Sequence, residues 1–222
     1  MESVLNYEEV DQKWIHFGFV LGLNTCDFDI TLNQLSVDSA MFADVSQLNP
    51  GFHVGIISNL RLNDYMDLRV LPGMSFGSRR LYYYKNKNGT YVNDKYTRQR
   101  IDYYPIEIPV ILKFKADRIE NYRPYIIADF TFRYDMSSSK KFDDEDPKDL
   151  PRYISFKPFN YYYGFGVGVD YYFEFFKLST EIRMDFGQRD VLKHEPHPKY
   201  PFYVDIIDKV KSNMVYLSFC FE

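Results

Sequence analysis

The chain has 222 residues, of which 19% are aromatic (21 Tyr, 20 Phe and 1 Trp), with 11 Gly and 11 Pro, a composition that excludes collagen-like, low-complexity and Leu-rich coiled-coil sequence. Its 27 basic and 31 acidic residues leave a net charge of −4, so no basic footprint points to nucleic acid. No run of about 18 apolar residues is present to cross a membrane as a helix, but a membrane-spanning β-barrel hides from such averages because its strands alternate.

The N-terminus carries no secretory pattern. Met1 is followed by Glu2, Ser3 and the acidic stretch Glu8-Glu9-Val10-Asp11, with neither a basic start nor an apolar core. The chain is therefore expected to be either cytosolic or a mature sequence preceded by a start Met, and the strand pattern has to decide between these.

Strict alternation begins at Trp14. Ile15, Phe17, Phe19, Leu21 and Leu23 share one parity, and His16, Gly18, Val20, Gly22 and Asn24 the other. A period of two held this long predicts a strand with one apolar face. The second strand, Phe52 to Leu62, sets Phe52, Val54, Ile56, Leu60 and Leu62 against His53, Gly55, Ile57, Asn59 and Arg61. The third, Leu68 to Phe76, opposes Arg69, Leu71, Gly73 and Ser75; the fourth, Ile106 to Phe114, opposes Glu107, Pro109, Ile111 and Lys113. The fifth has Ile126, Ala128, Phe130, Phe132 and Tyr134 against Ile127, Asp129, Thr131 and Arg133. The sixth runs from Tyr163 to Tyr171 over Gly164, Gly166, Gly168 and Asp170, and the seventh from Leu178 to Phe186 over Ser179, Glu181, Arg183 and Asp185. Val215, Leu217, Phe219 and Phe221 form the eighth, opposite Tyr216, Ser218, Cys220 and Glu222.

Short and long connections alternate. Strands two and three, four and five, and six and seven are joined by short turns, whereas Thr25–Gly51, Gly77–Tyr104, Asp135–Tyr161 and Gln188–Met214 are long. Outer-membrane barrels have this rhythm, with short periplasmic turns at one end and long external loops at the other. Within the first long connection, Asp38 to Gln47 is expected to form a turn or two of helix.

The polar parity holds most in-strand glycines and the charges Arg61, Arg69, Glu107, Lys113, Asp129, Arg133, Glu181, Arg183 and Asp185. Arg or Lys facing hydrocarbon costs roughly 2–4 kcal/mol at mid-depth, so these nine residues are expected to point inward as a paired structural network, with the apolar parity outside. Tyr82-Tyr83-Tyr84, Tyr103-Tyr104 and Tyr161-Tyr162-Tyr163 suit an interfacial aromatic girdle. The reading is all-β, an eight-stranded antiparallel up-and-down transmembrane β-barrel over residues 13–222, preceded by a periplasmic segment over 1–12. A soluble barrel, apolar inside, is the alternative architecture. Cys26 and Cys220 fall near opposite ends of strands one and eight and are expected to stay unpaired.

The stretches Gly18-Phe-Val-Leu-Gly22-Leu-Asn24, LRVLPGMSFG (68–77), IEIPVILKFK (106–115), RPYIIADF (123–130) and GFGVGVDYYFEFFKLSTEIRMDFG (164–187) resemble the PorT family, small outer-membrane β-barrels of the type IX secretion system. The run from Phe175 to Arg183 is the most specific part of the likeness. The resemblance implies a bacterial outer-membrane protein with both termini periplasmic, and a signal peptide absent from this sequence. It implies a non-enzymatic role in exporting cargo proteins, with outer-membrane lipid and other type IX secretion subunits as partners. A stand-alone surface-binding or adhesive barrel, or a lipid-modifying one, is the alternative.

Other motifs read as structure. The glycines of Gly164-Phe-Gly-Val-Gly168 alternate along a strand instead of opening a helix as a phosphate loop requires. His194-Glu-Pro-His197 lacks helical zinc spacing, Asp143-Asp-Glu-Asp146 lacks the alternation of a calcium loop, and Asn88-Gly89-Thr90 is a chance acceptor match. His53, Ser75 and Glu107 share the outer end of strands two to four and could be assembled on paper as a nucleophile, base and acid, but a hydrogen-bonded interior network is the expectation. No catalytic residue, metal, cofactor, small-molecule substrate or nucleic acid is predicted.

Overall fold

The structure, a computed structural model, describes residues 6, 13–32, 41–44, 49–87, 90–139, 154–194 and 207–222. Its strands are β1 (Ile15–Leu32), β2 (Met41–Asp44), β3 (Asn49–Arg61), β4 (Met66–Val70), β5 (Gly73–Lys87), β6 (Thr90–Tyr103), β7 (Pro105–Lys115), β8 (Tyr122–Asp135), β9 (Ser155–Phe156), β10 (Phe159–Tyr172), β11 (Lys177–Gly187), β12 (Leu192–Lys193) and β13 (Ile207–Phe221). Eight staves close antiparallel into a barrel: β1, β3, β4 with β5, β7, β8, β10, β11 and β13, with β13 returning to β1. The closing seam sets Phe19 opposite Phe221 and Leu23 opposite Leu217.

Each of the eight alternating segments lies in its own stave. The third stave is broken at Leu71 and Pro72, where Pro72 has no N–H to offer the ladder. There the Ile56 N–H donates to the Pro72 carbonyl at 2.9 Å and the Leu71 N–H to the Pro109 carbonyl at 3.1 Å.

Which parity faces in is decided by neighbours of the same type. Ile56 is 62% exposed and Ile57 0%; Ile126 is 58% exposed and Ile127 3%. The apolar parity is the outer wall, the reverse of a soluble barrel. Trp14, Tyr65, Tyr122, Tyr171, Phe173 and Phe175 are exposed around the end that carries the short turns and both described chain ends. This aromatic rim was not singled out in the sequence. Of the tyrosine runs that were, strict alternation sends Tyr103 and Tyr162 inside, leaving Tyr163 on the wall.

The long connections depart from expectation. β1 continues to Leu32 against a β13 that already begins at Ile207, and β5 with β6 forms a long hairpin beyond the barrel. In place of the helix expected within Asp38 to Gln47, Met41–Asp44 is a strand paired with Tyr82–Lys85; an extended partner already standing beside it outweighs a weak helical preference. A 3-10 turn, Met136–Ser139, follows β8. β9 and β12 pair as a short ribbon at the same end, with Ile154 and Leu192 fully buried.

Cys26 and Cys220 are not joined in a disulfide. Cys26 stands opposite Met214 and Cys220 opposite Val20, six rungs apart, or about 20 Å along the strands. Among the segments singled out in sequence, most of the expected N-terminal segment 1–12, Asp143–Asp146, His197 and Asn88-Gly89 lie outside the described residues.

Candidate functional site

The inward parity builds three layers. At the turn end, Arg69 reaches Glu181 at 3.2 Å and Glu222 at 3.3 Å, and Lys177 pairs with the same Glu222. Lys113 Nζ donates to both Asp170 oxygens at 2.7 Å while lying 3.8 Å over the Tyr125 ring. Lys115 pairs with Asp67 at 2.7 Å, and Asn59 donates to the other Asp67 oxygen at 3.3 Å. The Tyr125 and Ser179 hydroxyls donate to Glu181 and Asp170.

The middle layer is apolar. Val20, Ile57, Leu71, Ile111, Ile127 and Cys220 meet there, with Tyr125 at its lower edge. β10 contributes Gly166 at this level, and a Cβ on it would crowd the tip of Ile127.

At the loop end, Arg133 pairs with Glu107 at 2.9 Å and with Asp185, and stacks 4.0 Å from the centre of the Tyr162 ring. Arg183 lies 3.1 Å from Asp185 and 4.0 Å from Asp129. Ser75 and Tyr216 each donate a hydroxyl hydrogen bond to Glu107 at 2.8 Å, and Thr131 donates one to Asp129 at 2.8 Å. Gly164 makes room for this cluster, since a Cβ there would collide with the carboxylates of both Asp129 and Asp185. Arg69, Arg133, Lys113, Tyr162, Tyr216, Ile57 and Ile111 are among the largest fully buried side chains. Together they fill the lumen.

Of the nine charges expected inside, the structure places eight in these layers. Arg61 is the exception: it lies by the turn after β3 and pairs with the exposed Asp64, because β3 ends there and the parity rule ends with it. The pairings also cross strands more widely than a strand-by-strand reading suggests. Lys113 takes Asp170 of β10 and not Glu107 of its own strand; Arg133 reaches both β7 and β11. Asp67, Lys115, Asp170, Lys177 and Glu222 were missed. Three of them sit one residue outside the strand limits drawn at Leu68, Phe114 and Leu178, and Asp170 and Glu222 carry the polar parity openly.

His53, Ser75 and Glu107 do come to one place but in a different order from a catalytic triad. Ser75 donates directly to Glu107, and the His53 ring bonds Ser218 at 3.1 Å. No imidazole stands between hydroxyl and carboxylate, the order that activation of a nucleophile needs. Ser218 is the partner that sequence reasoning did not identify; it shares the inward parity at the level that faces β1. At the loop end, His194 lies 3.2 Å from Asp190, and no cluster of metal-ligating side chains is formed among the described residues.

Residues 10–193 match the family model of the outer membrane protein beta-barrel domain. The chain belongs to that family. Among solved structures, Neisserial surface protein A (NspA) is similar at 13% identity and a TM-score of 0.44, over 94% of this chain and 98% of that one. No curated protein matches the sequence. As an outer-membrane β-barrel, the chain presents its apolar wall to the membrane and keeps its two layers of buried ion pairs within.

Proposed function

We propose that this outer-membrane barrel is a non-enzymatic component of the type IX protein secretion machinery, with both termini and the short turns in the periplasm and the long connections outside. The observation that carries the mode of action is the filled interior. Eight strands give a lumen just wide enough for side chains to fill, and here two ion-paired layers and an apolar layer occupy it. A polypeptide has no path through such a barrel, so its contribution to export is made by rims, wall and extensions that contact other subunits. The machinery itself is suggested by the sequence resemblance, most specific from Phe175 to Arg183, and the Ser75–Glu107 and His53–Ser218 couples favour a structural role for these two lumen hydroxyls.

Deletion of the gene tests this reading, with cargo measured in the medium. Lost export that returns with the wild-type gene supports it. Export should also survive His53→Ala, Ser75→Ala and Glu107→Gln wherever the variant folds. Normal export from the deletion strain would sink the reading, and a changed lipid profile in that strain would replace it with enzymatic activity.

A further inference from the structure

The wall over β7, β8, β10 and β11 changes character from one end to the other. Toward the loop end its rings are in contact: Phe130 with Phe132, and Tyr163 and Phe165 with Phe186. Nearer the turns the side chains become small. The rung two residues inside the rim pair Tyr122–Tyr171 sets Pro124 opposite Val169 and Val169 opposite Thr180. Ala116 continues it past the end of β7, its N–H donating to the Pro124 carbonyl at 3.0 Å. The next rung up, with Ile126 opposite Val167, stands above that floor, both residues being 58% exposed. The two rungs line a trough of about 720 Å³ on the membrane-facing side, within the roughly 300–1,000 Å³ typical of ligand clefts.

The turns directly below belong to the same four strands. Residues 116–121 join β7 to β8, and residues 173–176 join β10 to β11. The Tyr172 N–H donates to the Asn121 carbonyl at 2.8 Å, so the two turns stand side by side. They carry three exposed carboxylates, Asp117, Glu120 and Glu174. Among the described residues none of these three is ion-paired. The cations of this end are engaged elsewhere. Lys113, Lys115 and Lys177 belong to the lumen network, and Arg123 lies on the inward parity opposite Asp170. Arg118 donates to the Glu120 and Asn6 carbonyls at 2.8 and 2.6 Å and stacks 3.8 Å from the centre of the buried Tyr172 ring. An apolar trough therefore ends, across the exposed rim rings of Tyr122 and Tyr171, on uncompensated acid.

The geometry points to the trough and the two turns below it as a binding site for an amine-bearing glycerophospholipid, such as phosphatidylethanolamine, in the leaflet at the turn end. An acyl chain lies in the trough, the Tyr122 and Tyr171 hydroxyls donate to the phosphate, and the ammonium lies against Asp117, Glu120 and Glu174. The occupant is an amphiphile because the trough is continuous with the lipid-facing wall and ends on charge at the depth where amphipathic rings settle. An ammonium brings three donors and a positive charge to carboxylates that only accept. An anionic headgroup would meet like charge at the same place. The site depends neither on which side of the membrane the turns occupy nor on the secretion role.

The test uses the full chain refolded in maltoside micelles, with binding read by native mass spectrometry. The probes are phosphatidylethanolamine and phosphatidylglycerol with identical acyl chains, and the first should bind at least about tenfold more tightly. Asp117→Asn/Glu120→Gln/Glu174→Gln should abolish that preference. Val169→Phe/Thr180→Phe, which fills the trough, should weaken phosphatidylethanolamine binding about tenfold or more. Val54→Phe/Val215→Phe, a matching pair of outward changes on β3 and β13 away from the trough, should leave it unchanged. Equal binding of the two probes, a preference that survives the carboxylate triple, or equal loss in both phenylalanine pairs overturns the proposal. A partner subunit that copurifies with the wild type but not with Val169→Phe/Thr180→Phe, while lipid binding is unaltered, also overturns it and gives the trough to a protein segment. Migration on unboiled gels verifies folding; should Val169→Phe/Thr180→Phe not fold, Val169→Leu/Thr180→Leu takes its place.

Discussion

At the turn end of the barrel, Arg69, Lys113, Lys115 and Lys177 meet Asp67, Asp170, Glu181 and Glu222, four cations to four carboxylates. At the loop end, Arg133 and Arg183 hold Glu107, Asp129 and Asp185, two cations to three carboxylates. The apolar layer between them keeps the two sets apart. The difference teaches that a buried network can be satisfied in two ways. In the balanced layer cations and carboxylates match in number, although Arg69 is itself shared between Glu181 and Glu222. In the unbalanced one the arginines are shared hubs, and neutral hydroxyls from Ser75, Thr131 and Tyr216 carry part of what a third cation would.

Removing a hub is expected to have the largest effect. Arg133→Leu leaves Glu107 and Asp185 without their shared partner, and Arg69→Leu does the same to Glu181 and Glu222; each should lower stability by about 3–5 kcal/mol in urea unfolding from micelles. Adding Glu107→Gln to Arg133→Leu should recover part of the loss. Arg133→Leu with wild-type stability would mean that the loop-end layer is hydrated and not a network.

Removing a carboxylate should separate the two layers more sharply. Asp170→Asn deprives the buried Lys113 of its only carboxylate pair shown here and should cost nearly as much as losing a hub, about 3 kcal/mol. Asp129→Asn removes the surplus acid at the loop end, where its nearest cation lies 4.0 Å away and is also held by Asp185, and should cost less than about 1 kcal/mol. Equal losses in the two variants would erase the distinction between the layers.

Site-directed labels test the wall that encloses both. Environment-sensitive probes at Phe19, Val110 and Leu217 should report hydrocarbon, and probes at Asn59, Thr131 and Ser218 should not. Lipid contact from the second set would invert the strand parity.

The smallest effect is expected outside the membrane, at Asp190. Partial burial works to raise its carboxyl, but the backbone N–H groups of Val210 and Leu192, with His194 and Lys157, outweigh burial and hold the pKa below the usual carboxylate range. A group depressed in the folded state contributes stability above its unfolded value, about 4, and loses it as pH falls through the lower folded value. Hydrogen exchange at Leu192 and Val210 should therefore quicken, relative to its intrinsic rate, only below about pH 4. The same acceleration at neutral pH is expected from Asp190→Ala.

Strand existence, parity and the order of short and long connections were legible in the chain because period two is a local property: Ile126 and Ile127 differ only in parity, and parity alone put one outside and one inside. Strand ends were less legible. Asp67, Lys115 and Lys177 fell one residue outside the drawn limits, since a ladder continues wherever its neighbour offers backbone partners, and a single strand cannot state where its neighbour stops. The same cause turned Met41–Asp44 into a strand and carried β5 and β6 far beyond the wall.

By itself, then, the sequence determined an eight-stranded barrel with an apolar wall and charges on the inward parity, because alternation and the cost of charge in hydrocarbon act residue by residue. Only the tertiary structure decided which charges meet. Lys113 finds Asp170, Arg133 bridges β7 and β11, Ser75 turns to Glu107 and His53 to Ser218, and six aliphatic or thiol side chains on the polar parity gather into one layer. Those choices depend on the stagger of closure, which sets the height at which residues from distant strands face one another across the lumen, and stagger belongs to the closed sheet and to no single strand.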